Sequence, residues 1–168
     1  GVEISGNVNS LGTGSVTISG KNSGSGAASP GIFLSSGMVN STIGNIQIDG
    51  EGNTGGALSE GVSINSSSVN ATGGSIAVNG MGQDTSGAPV GVGVVNSNIQ
   101  TTSLGMVNLT TLGGDFTDSD VGGSSYITQT GTFTLNSHQG INFSGTAVST
   151  IATTLGPANL TAQAADII

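Results

Sequence analysis

Cysteine and arginine are both missing from this 168-residue chain, and Lys21 is its one strongly basic side chain. Without thiols there can be neither a disulfide nor a thiolate metal site. Nine acids against a single lysine leave a formal net charge of −8. Nucleic-acid binding needs Lys or Arg to displace counterions from phosphates, so that class is excluded, and an anionic membrane surface would repel the chain for the same reason. Aromatic residues amount to 3% and tryptophan is absent, so no core built around large rings is expected. No apolar run approaches the length of a membrane-spanning helix. Charged residues are scarce too, at 6%, yet hydrophobic residues reach 34%, which separates the chain from disordered segments of low hydropathy and high charge. What remains is glycine, 31 of them, with small polar and β-branched residues. Those residues build short strands joined by tight turns.

A repeat organises them. Gly1, Gly31, Gly61 and Gly91 open the similar phrases GVEISG, GIFLSS, GVSINS and GVGVVN at intervals of 30. A second phrase follows in each unit, GSVTISG from Gly14, GNIQIDG from Gly44 and GSIAVNG from Gly74. In the fourth unit GMVNLTT begins at Gly105, one residue late, so a single insertion falls between residues 91 and 105. A middle phrase recurs as MVNST from Met38, SVNAT from Ser68 and NIQTT from Asn98.

Within the phrases the apolar positions alternate. Val2, Ile32, Val62 and Val92 are equivalent, as are Ile4, Leu34, Ile64 and Val94, while Glu3, Phe33, Ser63 and Gly93 between them share no chemistry. Period-two alternation puts one face inward and the other outward. The second phrase repeats it, with Val16, Ile46, Ile76 and Ile18, Ile48, Val78 inward. Gly20, Gly50 and Gly80 are expected to close each strand at a corner requiring positive φ, and residues 21–30 with their equivalents to form a turn or protruding loop. Glycine and β-branched residues argue against helix, and a sandwich does not demand equivalence every 30 residues. An all-β solenoid does, because each aliphatic position stacks on its equivalent one coil away, about 4.8 Å along the axis.

After residue 121 the pattern loosens. GTFTLNS starts at Gly131, GINFSG at Gly140 and GPANLTAQAADII at Gly156. The chain therefore divides into regular 30-residue coils over 1–121 and shorter, less regular coils over 122–168.

The phrases GNIQIDGEGNTGG, GVSINSSSVNATGGSIAVNG and GPANLTAQAADII resemble the β-strand repeats of giant bacterial surface proteins, the filamentous-haemagglutinin-like and autotransporter-associated families. The resemblance implies a right-handed parallel β-helix, secretion to the cell surface, and a place in an extracellular fibre or adhesin stalk. It brings no catalytic motif. The alternative expectation is a carbohydrate- or surface-binding module, for which Phe33, Phe116, Tyr126, Phe133 and Phe143 are the available aromatics.

Few residues offer site chemistry. Enzymes on parallel β-helices need a base or paired carboxylates in a groove, with Arg or Lys for acidic sugars. Here His138 reads as a turn residue, Lys21 falls in a Gly/Ser stretch and no nucleophile motif stands out, so the chain is expected not to be an enzyme and to carry no organic cofactor. Asp115, Asp118 and Asp120 in GGDFTDSDVGG place oxygen ligands at short spacing. Their plainer reading is a solvated loop and their chemical reading a Ca²⁺ site. Asp49 and Glu51 flank Gly50 and form a weaker cation candidate. Asn-x-Ser/Thr sequons stand at Asn40, Asn65, Asn70, Asn108, Asn142 and Asn159.

The chain begins on a repeat-opening glycine and stops after Asp166 with Ile167 and Ile168 still apolar. Uncapped solenoid coils expose strand edges and the cut face of a core. The expected partners are further coils of one long chain or identical subunits stacked head to tail.

Overall fold

A computed structural model describes residues 1–24, 30–54, 59–83, 89–120, 123–145, 149–162 and 167–168. The chain winds through coils of three strands each. The first holds β1 (Val2–Ile4), β2 (Asn7–Ser10) and β3 (Val16–Lys21), the second β4 (Ile32–Ser35), β5 (Met38–Ser41) and β6 (Ile46–Glu51). The third holds β7 (Val62–Asn65), β8 (Ser68–Ala71) and β9 (Ile76–Met81), the fourth β10 (Val90–Val95), β11 (Asn98–Thr101) and β12 (Val107–Gly113). The fifth holds β13 (Asp115–Asp120), β14 (Ser125–Thr128) and β15 (Phe133–Ser137), the last β16 (Ile141–Gly145), β17 (Thr150–Thr153) and β18 (Ala158–Ala162). First strands form sheet A, second strands sheet B and third strands sheet C, each six strands deep. All the pairings are parallel, and no helix occurs among the described residues. The fold is an all-β parallel solenoid, about 25 Å along its axis at the usual strand spacing.

Register makes the expected columns. Val2 pairs with Ile32, Ile32 with Val62 and Val62 with Val92. The column continues through Phe116 and Ile141, onto which Ile167 bridges. Sheets B and C add the Val8, Val39, Val69, Ile99 column and the Val16, Ile46, Ile76, Val107 column, and all meet in one core. Alternating strands leave no other way to bury aliphatic surface.

The corners are built from hydroxyls. Ser67 Oγ donates to Asn65 O (2.7 Å) and accepts from Gly37 N of the coil before (3.1 Å). Ser97 Oγ repeats this toward Val95 O (2.7 Å) and Ser67 N (3.1 Å). At the next corner Thr101 and Thr128 donate to Gly105 O and Gly131 O, both at 2.9 Å. Turn groups that would be stranded beside the core thus find partners within their own coil or one coil away.

Three expectations change in detail. Gly20, Gly50 and Gly80 lie inside β3, β6 and β9 rather than after them. Their glycine is required by close packing, since a β-carbon on Gly50 would collide with Gly61 O and one on Gly80 with Gly91 O. The left-handed conformations among the described residues sit elsewhere, at Ser36 (φ 55°), Ser66 (φ 49°) and Asn96 (φ 47°), then Gly123 (φ 82°), and at Gly114 (φ 89°). The insertion in the fourth coil falls after β11, because Thr101 still pairs with Ala71 while Val107 pairs with Ile76. The coil shortening has one main source. Residues 22–31 join β3 to β4, whereas Gly114 alone joins β12 to β13. Of the protruding loops, 25–29, 55–58 and 84–88 lie outside the described residues. The three sheets continue through 122–168.

Two outcomes follow for stability. Ile64 is fully buried with no basic side chain in its column, so Ile64→Asp should destabilise the chain by at least about 3 kcal/mol in urea unfolding; an unchanged midpoint would contradict the column. Ser66→Gly removes a left-handed strain that Gly123 avoids in the fifth coil, and should raise stability by about 0.5–1 kcal/mol in the same assay.

Candidate functional site

Among the described residues, the fold gathers an acidic locus on the outer face of sheet C. Gln47, Asp49 and Glu51 alternate outward along β6, between Ser19 and Lys21 on β3 and Asn79 and Met81 on β9. Asp49 accepts from Gln47 Nε2 (2.6 Å) and from Asn79 Nδ2 one coil away (2.8 Å). Glu51 Oε1 accepts from Lys21 Nζ (2.6 Å) and from Gln83 Nε2 (2.8 Å). The hydrogen bond from Lys21 holds the Glu51 carboxyl below its ordinary value, against an opposing effect of desolvation and with help from the Lys21 charge and the Gln83 hydrogen bond. Ser19, Lys21, Asp49, Glu51, Asn79 and Met81, with Leu112 from β12, line an open groove of about 440 Å³. Each carboxylate is already served by neutral or cationic donors, so the groove is a satisfied hydrogen-bond lattice rather than a bare anionic pocket.

The Asp115–Asp118–Asp120 segment is a strand, β13, and not the solvated loop of the plainer sequence reading. Alternation therefore splits the acids. Asp115 accepts from Gly140 N (2.7 Å) at the sheet's outer side. Asp118 points into the core, fully buried in the column below Val94, and accepts from Tyr126 Oη at 2.9 Å. The side chain of Asp120 lies outside the described residues. Asp115 and Asp118 thus face opposite ways, and the described residues contain no group of three His, Cys, Asp or Glu side chains that could hold a metal.

The aromatics go inside. Phe116, Tyr126 and Phe133 are fully buried, and rings pack at 6.2 Å (Phe116–Tyr126), 5.7 Å (Phe116–Phe143) and 5.6 Å (Tyr126–Phe133). Phe33 is left as the outward ring on sheet A. His138 sits exposed in the bend after β15, its backbone N–H donating to Thr111 Oγ1 (2.8 Å). Two sequon asparagines are engaged in a ladder up sheet B: Asn70 Nδ2 donates to Asn40 Oδ1 (3.0 Å) and Asn40 Nδ2 to Asn9 Oδ1 (2.8 Å).

One group has no counterpart in the sequence reading. Glu60 folds back over sheet A, with Ser63 hydrogen-bonded to its carboxylate and Gly93 beneath it, where a β-carbon would come 2.9 Å from Oε1. Burial pushes its pKa above the ordinary 4.5, opposed only in part by Ser63. Gly93, an outward position without a side chain, was the available signal.

Compared with protein-family models, curated proteins and solved structures, the chain matches none. Its class is therefore set by its own geometry, a three-sided parallel β-solenoid.

The two glutamates act in separate pH windows. Because the folded state holds the Glu60 proton more tightly than the unfolded chain, stability should fall as pH rises from about 4.5 through the folded value, then level off. Glu51, shifted down, adds stability present above 4.5 and lost on acidification below it. Denaturant midpoints measured against pH should lose the decline above 4.5 in Glu60→Gln and keep the one below; an unaltered profile would refute the role given to Glu60.

Proposed function

We propose that this chain is a structural repeat segment of an extracellular bacterial fibre or surface-adhesin stalk, with its coils continued along the solenoid axis. The observation that carries the reading is the unbroken run of in-register columns through all six coils, with nothing but packing and backbone pairing invested in most positions. Val2, Ile4 and Val8 in the first coil, and Phe143, Ile151 and Leu160 in the last, pack against the core yet stay only half-buried. Their equivalents in the middle coils are sealed, so a further coil at either end would complete the burial. The backbone of Ile167 and Ile168 already lies on β16, through Ile168 N to Ile141 O (2.9 Å) and Phe143 N to Ile168 O (3.0 Å).

The resemblance to bacterial surface repeats agrees with this reading. So does the scarcity of basic residues, since Lys21, held by Glu51, is the single target for a trypsin-like protease. A carbohydrate-binding module has less support, since three of five aromatics are core residues and only Phe33 faces outward.

Axial continuation takes one of two forms, more coils of one chain or subunits stacked head to tail. A head-to-tail contact is heterologous and does not close, so it yields filaments. Sedimentation and electron microscopy over a concentration series should show end-to-end growth. A soluble, monomeric 16.1 kDa species whose β1–β3 and β16–β18 amides exchange freely at every concentration would overturn the proposal.

A further inference from the structure

The charges are not spread around the solenoid. Glu3 and Asp115 lie on sheet A, with Asp118 inside it and Asp120 at the end of β13. Lys21, Asp49 and Glu51 lie on sheet C and Glu60 lies just before β7, while Asp84 and Asp166 lie outside the described residues. Sheet B has none. No charged residue occurs in β2, β5, β8, β11, β14 or β17, nor in the segments leading from them to sheet C.

This neutral face is also pre-satisfied. The Asn9–Asn40–Asn70 amides bond one another, Ser68 and Asn70 bond within β8, and Ser125 Oγ donates to Asn98 Oδ1 at 2.7 Å. Covering polar groups that already have partners costs little, whereas covering unpaired ones is expensive. Along the corner toward sheet C runs an apolar ridge: Leu11 is 87% exposed, Ile43 54%, Leu104 80% and Leu155 79%. Met38 adds an exposed side chain on the sheet itself.

We propose that two copies of this chain associate side by side through the outer face of sheet B and its Leu/Ile ridge. A second copy fits where other partners do not. On a chain of net charge −8, this is the face on which two copies meet without apposing carboxylates. The pairing is isologous, Leu11 and Leu155 at opposite ends of the ridge exchanging places about a two-fold axis. A glycan surface is disfavoured, because no aromatic ring faces outward from sheet B and the Asn9, Asn40 and Asn70 amides are bonded to one another. Six strands at about 4.8 Å spacing and four residues at about 3.3 Å give the sheet roughly 300 Å², and the corners roughly double it. A pair then buries about 1,000–1,200 Å² in total, at the low end of specific interfaces. The contact is accordingly weak as a lone dimer and gains strength when many coils in one rod repeat it. It is independent of axial growth, since β8 lies in the middle of the rod on a side face.

The chain lacks cysteine, so single cysteines report contact cleanly. Under mild oxidation Ser68→Cys, on sheet B, should cross-link to itself at least ten-fold faster than Ser63→Cys on sheet A. Asn70→Lys combined with Leu104→Glu should abolish that advantage and raise the lateral dissociation constant in sedimentation equilibrium at least ten-fold, with strand circular dichroism unchanged. Equal cross-linking rates at the two positions would overturn the proposal. So would a charged variant that associates like the parent chain, or a parent chain that stays monomeric while binding insoluble neutral polysaccharide.

Discussion

Every side chain in this molecule must tolerate its own equivalent one strand-spacing away. Parallel in-register pairing at about 4.8 Å turns each position of the coil into a row along the axis. Rows of Val, Ile and Leu become the core, rows of Ser and Thr become corner hydrogen bonds, and Asn9–Asn40–Asn70 becomes an amide ladder. A row of carboxylates cannot exist on these terms, because neighbours at that distance repel by about 1 kcal/mol even in water. The described ladders obey this throughout. Asp49 stands between Ser19 and Asn79, Glu51 between Lys21 and Met81, Glu3 beside Phe33, and Asp118 between Val94 and Phe143. The scarcity of charge in the sequence is thus a consequence of stacking before it is a statement about partners.

The same constraint explains what was legible. A property repeated at every coil appears in the sequence as a period, so the aliphatic columns and the three phrases of each unit could be read directly. Properties that arise between coils could not. Gly50 looked like a strand terminator, yet its glycine is imposed by the carbonyl of Gly61, a residue at the start of the next coil. Ser36, Ser66 and Asn96 carry no mark in the sequence of their left-handed backbone, because no glycine holds those positions. Asp118 was read with Asp115 and Asp120 as a loop cluster. Only its phase in the strand, two residues from inward Phe116, betrays that it points inside. The groove at Asp49 and Glu51 was half legible, since the two acids were adjacent in sequence while Asn79, Lys21 and Gln83 arrive from other coils.

Faces divide the labour that an enzyme would give to a pocket. Sheet C carries the single cation, Asp49, Glu51 and the groove, and sheet A carries Glu3 and Asp115, whereas sheet B is neutral and internally bonded. Such segregation is not demanded by the fold, which would accept a charge on sheet B as readily as Asp49 on sheet C. The lateral contact proposed for sheet B would account for it, with water against the charged faces and a neutral surface against the uncharged one.

The fifth coil shows how far the stacking rule can bend. Where the connection from β12 to β13 contracts to Gly114, the inward positions change from aliphatic to Phe116, Tyr126 and Phe133. Each ring replaces a Val or Ile of the fourth coil and is followed by Ile141, Ile151 or Ala158 in the sixth, so no ring stacks on its own equivalent. Instead the rings meet one another across the core at 5.6–6.2 Å, in tilted and edge-on contact. Tyr126 brings a hydroxyl inside with it, and Asp118, one strand earlier in the same coil, accepts its hydrogen bond. A buried carboxylate is tolerable only with such a donor, and the donor is available only because the ring reaches across from sheet B to sheet A. Ring, acid and shortened connection therefore belong to one local solution, in which cross-core contacts within the coil supplement those between coils.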